Sequence, residues 1–91
     1  MANFTQQQLG ELREKAINFM QDERQLPLDA LFIETQGDMA VFGVWLNLRP
    51  YCKVGMPMYV SVSTNGDCHE IEDYDECVRL LKSLSQLRND L

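Results

Sequence analysis

The chain has 91 residues, 45% hydrophobic and 24% charged, with a formal net charge of -6. That length suits one domain, and the composition excludes a disordered chain. The charge excludes a basic nucleic-acid surface, because binding a phosphate backbone needs clustered Lys and Arg.

The opening residues MANFTQQQLGELREK lack the basic start and apolar core of a signal peptide. Thr5 is placed to cap a helix, with Gln8 as its capping-box partner and Phe4 and Leu9 as a hydrophobic staple. Leu9, Leu12, Ala16, Phe19 and Met20 recur at helical spacing, and Ile17 widens the stripe. Pro27 biases Leu26 away from helix, so the helix should end near Asp22–Arg24.

Leu28–Thr35 reads as a strand with Leu31 and Ile33 on one face and Phe32 and Glu34 on the other. Gln36-Gly37-Asp38 is a tight turn that leads to the stretch organising the chain, Met39–Leu48 (MAVFGVWLNL). This stretch carries no charge and is interrupted only by Gly43 and Asn47, so it reads as a central strand with two apolar faces. Ala40, Phe42, Val44, Leu46 and Leu48 share one face; Met39, Val41 and Trp45 share the other. From Asn47 to Pro57 the chain should be irregular, since Pro50, Gly55 and Pro57 interrupt a ladder.

Met58–Thr64 alternates as a strand, and Asn65-Gly66 signals a two-residue hairpin turn. That turn would place Val62 opposite His69 and Val60 opposite Ile71. Asp73 caps a last helix with Glu76 as its capping-box partner, and Asp75–Arg79 forms an i,i+4 pair. Its apolar stripe is Tyr74, Cys77, Val78, Leu81, Leu84 and Leu87, with Leu80 at the edge. The order α-β-β-β-β-α predicts a two-layer α+β domain, a four-stranded antiparallel meander with both helices on one face.

Such a fold leaves one sheet face uncovered, carrying Phe32, Met39, Val41, Trp45 and Tyr59. Aromatic residues and Met are enriched at interface centres, so this set is the candidate protein interface. A second candidate is the acidic run. Asp67, Glu70, Glu72, Asp73, Asp75 and Glu76 occupy ten residues without Lys or Arg and equal the whole net charge. All but Glu76, reserved for the helix start, form the expected docking patch for a basic partner.

Reaction chemistry finds less support. His69 is the single histidine, and the expected register separates it from Cys68. Cys52, Cys68 and Cys77 form no CxxC and match no usual zinc spacing, so free thiols in a reducing, cytoplasmic setting are expected. The acids lack the glycine and terminal glutamate of a calcium loop. Arg49 and Lys53 beside Tyr51 are too few for a nucleic-acid surface. No catalytic, metal or cofactor site is expected, nor a membrane span. The expectation is a small acidic protein-binding protein, an inhibitor, antitoxin-like or immunity-type protein facing a nuclease or nucleic-acid-binding partner. The alternatives are a homodimeric structural protein, a chaperone or adaptor, and, most remotely, a Cys/His enzyme.

Overall fold

The computed structural model describes residues 4–21, 27–48 and 52–89. Helix α1 (Gln6–Met20) precedes strands β1 (Leu28–Gln36), β2 (Met39–Leu48), β3 (Cys52–Ser63) and β4 (Cys68–Ile71), and helix α2 (Tyr74–Asn89) follows them. The strands form one antiparallel meander in the order β1-β2-β3-β4. The α+β class and element order match the expectation.

The layering does not. Leu12 and Ala16 of α1 pack with Ala30, Ala40, Phe42, Val44, Val60 and Val62 on one sheet face. Leu80 and Leu84 of α2 pack with Val41 and Tyr59 on the other, joined by Leu31, Ile33, Trp45 and Ile71. The helices therefore cover opposite faces and make three layers. The physical reason is the apolar character of both faces of β2: each must be removed from water, and each helix offers one apolar stripe. Gly43 assists α2, since a Cβ there would lie 2.8 Å from Leu84 Cδ2, a space only glycine leaves open.

Both helix starts follow local chemistry. The Gln8 N–H donates to Thr5 Oγ1 at 3.1 Å, and the Thr5 N–H to Gln8 Oε1 at 2.9 Å, completing the capping box. Arg13 ties α1 to β1, donating through Nε to the Ala30 carbonyl at 2.8 Å and pairing with Asp29. The helix ends at Met20, where the Gln21 N–H donates to the Asn18 carbonyl; the end expected at Asp22–Arg24 lies outside the described residues. Phe19 is 47% exposed and so stands outside the buried stripe. In α2, Leu80 and Leu84 are the buried centre and Tyr74 points outward at 78% exposure, so that stripe is rotated from the expected one.

Three irregularities set which side chains share a face. In β1, Phe32 pairs with Phe42 but Glu34 pairs with Val41, so Ile33 is bulged and Glu34 turns to the α2 side. In β2, Val44 pairs with Met58 and Leu46 with Val54, placing Gly55, Met56 and Pro57 opposite Trp45. Pro57 sits where the ladder is already broken, which is how β3 extends back through a segment expected to be irregular. At the last hairpin, the Gly66 N–H donates to the Ser63 carbonyl and the Ser63 N–H to the Asp67 carbonyl, both at 2.9 Å. Gly66 has φ 91°. These features make a three-residue loop, Thr64-Asn65-Gly66, with a bulged glycine instead of a two-residue turn. The register moves by one residue: Val62 faces Cys68, Ser61 faces His69, Val60 faces Glu70 and Tyr59 faces Ile71.

Candidate functional site

The register change decides what lies beside α2. Tyr59 and Ile71 become neighbours on the α2 face, whereas the two-residue turn would have placed Ile71 on the opposite one. While α1 packs against all four strands, α2 packs chiefly on β1 and β3. Between α2 and β4 a groove of about 310 Å³ remains. Its buried base is Tyr59, 3% exposed, beside half-buried Ile71 and Cys77. Val78 and Leu81 form its helix side, and Met58, Tyr74, Glu70 and Glu72 its exposed rim. The surface is predominantly apolar, a character shared with ligand and anchor-residue pockets.

Two features of this groove are electrostatic. The Tyr59 hydroxyl is buried without a hydrogen-bond partner among the described residues. Burial, and secondarily the electrostatic effect of the neighbouring Cys77, raises the Tyr59 pKa, so the hydroxyl stays protonated. Burial also raises the Cys77 thiol, and the carboxylates of Asp73, Glu70 and Glu76 raise it further. Its Sγ donates to the Ile71 carbonyl at 3.3 Å. A protonated, hydrogen-bonded thiol is a poor nucleophile.

The acidic run separates by role. Glu72 borders the groove past the end of β4, and Glu70, whose partner Val60 faces α1, borders it from the sheet edge. Asp73 caps α2, its Oδ2 accepting from the Glu76 N–H at 3.0 Å. Asp67 belongs to the hairpin loop, where its N–H donates to Ser63 Oγ, and Asp75 is exposed in the first turn of α2. Glu76 does not complete the expected capping box: its carboxylate accepts from Gln36 Nε2 at 3.0 Å and from Arg79. Nor does Arg79 serve Asp75. Its two terminal nitrogens grip Glu34 at 2.7 and 2.8 Å, joining α2 to β1 through the carboxylate that the bulge turned over.

The Arg79 hydrogen bonds hold the Glu34 carboxyl below its ordinary value of 4.5, outweighing the opposing effect of burial. A depressed carboxyl pKa stabilises the fold above the unfolded-chain value and ceases to do so as pH falls through the folded one. Glu34→Gln should therefore be less stable than wild type at pH 7, with the difference shrinking below about pH 4.5. Urea midpoints of both proteins at pH 7 and pH 3 measure this; a pH-independent difference would show that the ionised pair contributes nothing.

The expected aromatic interface is not one surface. Phe32 lies on the α1 face, its ring 5.8 Å from that of Phe42 in an edge-on contact. Val41 and Tyr59 are buried on the α2 face, with Trp45 half-buried beside them and Met39 half-buried at the start of β2. The free face anticipated for these residues is occupied by α2, and only Tyr59 of the five lines the groove. The register hid the place of Ile71, while Cys77, Val78 and Leu81 belong to the expected stripe of the last helix; Tyr74, expected in that stripe, stands on the rim instead.

His69 is exposed on β4, and Cys68 lies on the opposite face with Sγ donating weakly toward the Lys15 and Gly66 carbonyls. Among the described residues, no three His, Cys, Asp or Glu side chains gather as metal ligands. No described helix is long and apolar enough to cross a membrane. Arg49 and Tyr51 lie outside the described residues. No family model matches the chain, and no curated protein or solved structure matches it.

Proposed function

We propose that this chain is a small acidic protein-binding protein that acts in the cytoplasm by docking a basic partner. The observation carrying the reading is the apolar groove between β4 and α2 with Glu70 and Glu72 on its rim and exposed Tyr74 beside them. Apolar area supplies binding free energy, while the carboxylates steer and select a cationic partner. The fitting biological form is an inhibitor of antitoxin or immunity type, whose carboxylates occupy the cationic channel of a nuclease or nucleic-acid-binding protein. A chaperone or adaptor would use the same surface on a different cationic client.

Affinity capture from the native host, eluted with a salt gradient and followed by light scattering of the complex, tests this. One basic protein should be released by salt, and its complex should have the mass of a hetero-oligomer. A salt-resistant homodimer with no other partner would replace this reading with the homodimeric one.

A further inference from the structure

We infer that the groove between β4 and α2 receives one bulky apolar side chain from an arginine- or lysine-rich segment of a partner protein. The inference rests on the protein-binding reading and names the occupant of that surface.

The groove has a volume of about 310 Å³. That is at the small end of ligand-pocket volumes and suits a side chain more than a domain surface. Its interior is formed by Tyr59, Ile71, Cys77 and Leu81, which select an apolar group.

Charge then identifies the flanks of the segment. Glu70 and Glu72 are the charged residues of the lining, with no Lys or Arg among its described members. The Tyr74 ring, 78% exposed, offers a face on which a guanidinium can stack. A second copy of this chain is a poor occupant, because seating it groove to groove would oppose Glu70 and Glu72 with their own equivalents. A nucleic acid is repelled by the same carboxylates.

The test is a titration of the full ¹⁵N-labelled chain with two synthetic peptides, Arg-Lys-Gly-Phe-Gly-Arg-Lys and its counterpart with Ser in place of Phe. The Phe peptide should bind about tenfold or more tightly, reflecting burial of one aromatic side chain, and should shift the Ile71, Cys77 and Leu81 amides. Equal affinity for both peptides, with shifts confined to residues 67–76, would overturn the groove inference while leaving acidic docking in place. No shift at residues 67–76 with either peptide at millimolar concentration would overturn both.

Discussion

Leu84→Ala should destabilise the domain by about 2–5 kcal/mol, read as a fall in the urea midpoint with little change in slope. Leu84 is fully buried and presses its methyl groups against the backbone at Gly43, so its removal leaves a cavity between α2 and the central strand. For a chain of this length total stability is about 5–14 kcal/mol, so the loss is a large fraction of the whole. A second substitution isolates the contact. Gly43→Ala places a methyl 2.8 Å from Leu84 Cδ2 and 3.4 Å from Ile33 Cδ1, overpacking that should cost about 1–3 kcal/mol. In the Leu84→Ala background the same methyl enters the vacated space, so its cost should shrink or change sign. Strict additivity, or a Leu84→Ala effect below about 1 kcal/mol, would mean that α2 does not cover this face.

That contact also explains what the sequence could and could not convey. Helices begin where their caps are written: Thr5 with Gln8, and Asp73 before α2. Strand order follows from short turns at Gly37 and Gly66, which make neighbouring strands adjacent. Layering is another matter. Alternation along Met39–Leu48 shows two apolar faces but does not say whether the second is covered by a partner or by the chain's own helix. Gly43 held the missing information, yet the need for close approach at a glycine is visible only when the opposing Leu84 is in place.

The functional surface was less legible for a sharper reason. Asn65-Gly66 suits both a two-residue turn and a three-residue loop with a bulged glycine, and the two differ by one residue of register. Because side chains alternate along a strand, that single step reassigns all of β4. Ile71 moves beneath α2 beside Tyr59, Cys68 moves to the α1 face, and His69 joins Ser61. The bulge at Ile33 acts likewise on Glu34, bringing it to Arg79. Local deviations from strict alternation thus created both the groove and the ionic clamp joining α2 to β1.

Reversal of both rim charges, Glu70→Lys with Glu72→Lys, should reduce affinity for the cationic Phe peptide by about tenfold or more while preserving the fold. Both side chains are exposed, and neither forms a hydrogen bond or ion pair among the described residues. The change therefore acts on the incoming segment and leaves Asp73, Glu76 and the start of α2 intact. Salt provides the signature. Screening acts over about 10 Å at 0.1 M, so wild-type affinity should fall as salt rises, whereas that of the reversed variant should stay level or rise. The matched control is Glu11→Lys with Asp38→Lys, exposed positions away from the groove that change the net charge equally. An equal loss in that control would assign binding to overall charge. Retention of affinity by the control alone places the electrostatic selection at Glu70 and Glu72, where it acts beside the apolar anchor instead of along the whole acidic run.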